Sequence, residues 1–177
     1  MSKLLDIRMK KRLNIFAMML ILTFAFINPL HTKDNDIPSV NVVDMKNKKV
    51  DTKTFSNDGK PFIILFWATW CKPCIQELKA IHDVYDDWKD ETGVKIITIS
   101  IDDSRSSKKV APFVKGRNWN FDVYIDENSD FRRAMNVNNP PHSFIVDGKG
   151  NVVWQHNGFA PGDEDNMFKE LKKLIKK

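Results

Sequence analysis

The segment FIILFWATWCKPC, Phe62 to Cys74, constrains the fold more than any other stretch of this chain. Its seven leading residues, Phe62 to Ala68, are all apolar, which is the pattern of a strand buried on both faces rather than one with a wet side. Just beyond stand the only two cysteines in 177 residues, Cys71 and Cys74. After them Ile75, Leu78, Ile81, Val84, Tyr85 and Trp88 recur at steps of three and four, one face of a helix that ends near Gly93. A buried strand that passes into a helix through a cysteine pair needs sheet neighbours on both edges and helices over its faces.

The rest of the chain supplies them. Val40 to Phe55 alternates and reads as a strand pair around a Lys-rich turn, and Asn57 to Pro61 breaks the pattern. Val94 to Asp102 is a second buried strand, followed by a helix within 106–118, a short strand at Phe121 to Asp126 and a short helix at Asp130 to Asn136. "HSFIVD", the turn "GKG" and "NVVWQHNG" read as a β-hairpin. A closing helix puts Met167, Phe168, Leu171, Leu174 and Ile175 on one face, acids first and lysines last, as the helix dipole favours. These elements predict an α/β fold: a central mixed β-sheet flanked by helices, a right-handed crossover, and an N-terminal β-hairpin extension. The cysteines then fall at the strand end where open α/β sheets place their sites.

The charge excess of +5 does not point to nucleic acid. Five of the 28 basic residues and one of the 23 acids lie in residues 1–28, which leaves the remainder near neutral. A basic cluster ending at Arg12, then the 13-residue stretch Ile15 to Ile27, has the order of a secretory leader and is short for a membrane span. Residues 1–30 are therefore expected to be a signal peptide or short membrane anchor, 31–39 a linker, and 40–177 the folded domain. The protein is expected to be exported to the cell envelope or periplasm and to be tethered there if the leader is kept.

An oxidising compartment permits disulfides, but a bridge between residues three apart closes almost no loop and so stabilises little. A zinc half-site needs two further ligands, and His31, His82, His142 and His156 lack the paired spacing. Redox chemistry suits the pair better. Pro73 fits the first turn of a helix, so Cys71 is placed at an exposed helix mouth and Cys74 one turn inside. Free backbone N–H groups there, with Lys72 nearby, favour the Cys71 thiolate, the form that attacks a disulfide.

With FWATWCKPCIQEL, VKIITISID, PHSFIVDGKGNVVWQHNGF and the final GDE helix, residues 38 to 177 resemble the thioredoxin superfamily, specifically the TlpA/ResA-like envelope thiol-disulfide oxidoreductases. The resemblance implies a thioredoxin-like fold in which Cys71 attacks, Cys74 resolves and Glu77 is an acid that shuttles the Cys74 proton; an ordinary first-turn glutamate is the alternative for Glu77. It implies that Pro141 is a cis-proline facing the cysteines. Pro140 stands where the family offers a backbone N–H to substrate, and it has none to give. Trp70, Lys72, Pro73, Pro140 and Pro141 form the expected substrate surface, Trp67 is assigned to the core, and His142 to solvent. Lys79 replaces a proline frequent in the family. No cofactor or metal is implied beyond the Cys71–Cys74 redox pair. The implied partners are thiols or disulfides of envelope proteins, apocytochrome cysteines among them, with a membrane electron donor or acceptor. A copper chaperone on the same fold and a protein thiol oxidase are the rival readings.

Overall fold

A computed structural model describes residues 36–175 of the chain. The expected leader and the first part of the linker lie outside the described residues, and among these no helix is long and apolar enough to cross a membrane. In chain order the elements are β1 (Asn41–Asp44), β2 (Lys49–Asp51), β3 (Phe62–Trp67), α1 (Lys72–Thr92), β4 (Lys95–Ser100), α2 (Val110–Lys115), β5 (Asp122–Ile125), α3 (Asp130–Ala134), β6 (His142–Val146), β7 (Val152–Asn157) and α4 (Asp163–Ile175).

The seven strands form one mixed sheet in the order β2-β1-β5-β4-β3-β6-β7. As its unbroken apolar run requires, β3 is central: it pairs parallel with β4, Ile64 beside Ile97, and antiparallel with β6, Ile64 beside Phe144. The N-terminal hairpin β1–β2 docks antiparallel on β5, which itself runs parallel to β4.

Alternation along β3 sends neighbouring side chains to opposite faces. Phe66 packs against Phe131 of α3 at 5.3 Å between ring centroids, and Trp67 on the other face against Phe113 of α2 at 5.8 Å and Trp119 at 5.7 Å. Trp67 thus lies in the core, as assigned. Burying each such side chain fully is worth roughly 1.5–3 kcal/mol. Helix α1 stops where the spacing predicts: Gly93 takes the left-handed conformation, φ 67°, and its N–H bonds Lys89 O at 2.7 Å. Helix α4 is laid against α1 by a stack of Phe168 on Trp88, centroids 4.7 Å apart.

Three segments differ from expectation. β2 ends at Asp51, because that side chain accepts the Lys53 N–H at 2.8 Å and starts a 3-10 turn at Thr52–Thr54. The helix expected within 106–118 is a 3-10 turn at Ser107–Lys109 followed by only six α-helical residues. Pro112 lacks an N–H and fits only the first turn, so the α-helix starts late. Ile175, expected on the buried face of the last helix, is exposed at its end. Sheet contacts also begin before Val40, since Asp36 bridges Asn151 and Ile37 is buried.

Candidate active site

The turn from β3 to α1 is held from several sides. Trp67 O accepts the Ile101 N–H at 2.8 Å, and Cys71 N–H closes a tight turn on Ala68 O at 3.1 Å. Between them Thr69 is bound by the buried Asp102, which takes its backbone N–H at 2.8 Å and its hydroxyl at 2.6 Å. Cys71 is the N-cap of α1, its sulfur accepting the Cys74 N–H at 3.3 Å, and Pro73 lies in the first turn, where a missing N–H costs nothing.

Cys71 and Cys74 are joined as a disulfide with Cα atoms 5.3 Å apart. Cys74 is fully buried, as its inner position requires, but Cys71 is only 5% exposed rather than open at the helix mouth. Its sulfur is bonded to that of Cys74 and accepts the Cys74 N–H. What faces solvent here is Trp70, 62% exposed, with Lys72 and Pro73.

One turn beyond Cys74, and on the same face of α1, Glu77 is 1% exposed. Its Oε1 accepts the hydroxyl of Ser143 on β6 at 2.6 Å, and its Oε2 has no hydrogen-bond partner among the described residues. Burial pushes this carboxyl up to about 8, with the Ser143 bond opposing and the nearby Asp163 and Glu164 adding to the rise. An ordinary first-turn glutamate would point to water; this one is turned inside the protein, where its burial favours the protonated form.

β6 runs antiparallel to β3 with His142 opposite Phe66, so the start of β6 lies beside the end of β3 from which the cysteine turn departs. The Pro140–Pro141 bond there is cis. Pro141 is buried and its carbonyl accepts the Gly158 N–H at 2.8 Å, while Pro140 is half-buried. His142 is not in solvent as expected but 9% exposed, stacked on Phe144 at 4.4 Å. The reason is its cross-strand setting on β7: Nε2 meets Gln155 Oε1 at 3.2 Å and Nδ1 meets Asn157 Nδ2 at 3.3 Å. Asn157 Nδ2 also donates to Asn139 O at 3.1 Å, so Nδ1 of His142 is the acceptor and Nε2–H the donor, a neutral ring. Burial lowers its pKa, partly offset by Gln155.

The structure therefore brings Cys71, Cys74, Glu77, Trp70, Lys72, Pro73, Pro140 and Pro141 to one end of the sheet. Sequence reasoning missed Ser143, Asp102 with Thr69, and Arg132, whose guanidinium holds the carbonyls of Val137 and Asn138 just before the prolines. Ser143 and Asp102 did leave a signal, a polar residue in or closing an otherwise apolar strand, but their partners lie 66 and 33 residues away.

A family model for the AhpC/TSA family matches residues 34–155. The thiol-disulfide oxidoreductase ResA of Bacillus thuringiensis subsp. konkukian is 32% identical over 142 residues, 80% of this chain and 76% of that protein. The solution structure of a thioredoxin-like protein from Porphyromonas gingivalis is 47% identical, covering 79% of this chain and 92% of that one with a TM-score of 0.72. The crystal structure of StoA from Bacillus subtilis, 20% identical, shares the fold over 76% of this chain and 98% of its own with a TM-score of 0.60. The chain belongs to the AhpC/TSA family, and it is a thioredoxin-fold thiol-disulfide oxidoreductase of the ResA/StoA type.

Proposed function

We propose that this oxidoreductase works in the cell envelope as a reductant of specific protein disulfides, apocytochrome cysteines being the expected type, and draws its electrons from a membrane donor. The observation that carries the chemical part is the Cys71–Cys74 pair at the start of α1 with the buried Glu77 one turn inward.

In the reduced protein, N–H groups of the first turn favour the Cys71 thiolate. This thiolate attacks one sulfur of the partner's disulfide. The partner's S–S bond breaks, its second sulfur leaves as a thiolate and takes a proton from water, and a Cys71–partner mixed disulfide forms. Cys74 gives its proton to the Glu77 carboxylate and attacks the Cys71 sulfur, releasing the partner's first sulfur as a thiolate. The partner has gained two electrons, and the protein is left with the Cys71–Cys74 bond and a protonated Glu77. A Glu77 carboxyl raised to about 8 in the disulfide state suits that product, because it holds the proton at neutral pH. The donor reverses these steps, and Glu77 returns the proton to Cys74.

Docking is expected to use Trp70, Lys72 and Pro73 on one side and the Pro140–Pro141 turn on the other. Pro140 supplies no N–H, so a partner strand pairs here with carbonyl and side-chain contacts alone.

The test is capture. Cys74→Ser should accumulate mixed disulfides through Cys71, visible as adducts on non-reducing gels that vanish with dithiothreitol, and Cys71→Ser should accumulate none. Adducts that persist in Cys71→Ser would overturn the assignment of the attacking sulfur. Adducts drawn only from cytoplasmic proteins would overturn the envelope setting.

A further inference from the structure

Asp102 is fully buried at the carboxyl end of β4, and its carboxylate gathers three donors. Oδ2 accepts the Thr69 N–H at 2.8 Å and the Ser100 hydroxyl at 2.8 Å, and Oδ1 accepts the Thr69 hydroxyl at 2.6 Å. Ser100 Oγ in turn accepts the Asp102 N–H at 3.2 Å, which locks the carboxylate to its own strand end. If only the core mattered, an apolar residue would close β4 without the cost of burying a carboxylate. The bonds converge instead on the residue two before Cys71.

Thr69 matters because of its successor in the chain. Trp70 is the most exposed large apolar side chain among the described residues, and its backbone is the single link between the pinned Thr69 and the N-cap Cys71. The direction in which the indole leaves the surface, relative to the Cys71 sulfur, is therefore set by the position of Thr69. Of the bonds on the turn, Ile101 to Trp67 O and Cys71 to Ala68 O tie its two ends, and among the described residues only Asp102, just past the neighbouring strand β4, grips its middle.

We infer that Asp102 is a positioning residue for partner docking. It holds Thr69 so that the Trp70 indole and the Cys71 sulfur present one surface to the polypeptide flanking a protein disulfide. A small disulfide needs only the sulfur, so Asp102 contributes little to its reaction. This inference rests on the oxidoreductase reading above and adds the element that selects protein over small-molecule disulfides.

The test compares two probes. Reduced protein is mixed with increasing insulin or with 2-hydroxyethyl disulfide, and its oxidation is followed by counting free thiols after acid quenching. In Asp102→Ala the half-saturating insulin concentration should rise about tenfold, with the maximal rate and the 2-hydroxyethyl disulfide rate within about twofold of the parent. Thr69→Val keeps the backbone bond and loses the hydroxyl bond, so it should show about a threefold rise, and Thr69→Ser should restore the parent value. Thr69→Val also serves if Asp102→Ala fails to fold. Equal losses on both probes would make Asp102 a plain stability residue and overturn the inference, as would no loss on insulin. If the parent reduces neither probe, the oxidoreductase reading itself falls and takes this one with it; if the parent reduces both, only the role of Asp102 is at stake.

Discussion

Replacing Glu77 by glutamine gives the sharpest physical test of the site, because it turns a buried titrating group into one that cannot titrate. In the native disulfide form the carboxyl keeps its proton up to about 8, against an ordinary value of 4.5 in the unfolded chain. Between those two values the native state holds more protons than the unfolded state, so stability falls as pH rises, by about 1.4 kcal/mol for each pH unit. From pH 5 to pH 7.5 the parent should therefore lose about 3 kcal/mol through this one group. Glu77→Gln removes that loss. It retains an oxygen to accept the Ser143 hydroxyl, and it places an NH₂ where the protonated Oε2 had its own unpartnered donor, so near pH 5 the two proteins should differ little. The assay is guanidinium unfolding of the oxidised parent and variant at both pH values. All other titrating groups are common to both proteins and cancel in the comparison. The variant should gain about 3 kcal/mol on the parent between pH 5 and pH 7.5. The same offset at both pH values would refute the claim that Glu77 is buried and protonated at neutrality.

Ser143→Ala removes the one bond that holds the Glu77 carboxyl down, so the pH profile of disulfide reduction should move to higher pH, measured as single-turnover rates across pH 6 to 10. Gly148→Ala would put a Cβ 1.8 Å from the Gly59 carbonyl oxygen, a backbone atom that cannot step aside, and should cost about 1–3 kcal/mol in thermal unfolding with no change in the redox chemistry. Equilibration in dithiothreitol buffers should give a reduction potential nearer about −270 mV than about −120 mV, and a value at the upper end would make the protein an oxidase with the same cysteines.

The central strand, the cysteine-bearing helix and the closing hairpin were legible because each has a local cause. Phe62 to Ala68 is apolar throughout, the α1 face repeats every three to four residues until Gly93, and Gly148 to Gly150 marks a turn between two alternating runs. Cys71 and Cys74 were found from their spacing at the start of that helix, and Glu77 from resemblance alone. What escaped is tertiary. The side chains of β7 that enclose His142 lie 13 and 15 residues further along the chain, and its immediate neighbours do not predict them. Likewise the burial of Cys71, its sulfur bonded to that of Cys74, is not written in the spacing. The proton affinity of Glu77 depends on a strand 66 residues away, and the rigidity of the turn before the cysteines on Asp102, 33 residues from Thr69.

The two borders of the sheet have unlike prospects for self-association. On one side β2 is three residues long and begins with a lysine, so it gives a second copy little backbone to extend and blunts ribbon-like aggregation. Among the described residues the other border is β7, six residues long, with Asp36 bridging Asn151 just before it. A strand laid along that border would run beside Gln155 and Asn157, the braces of His142.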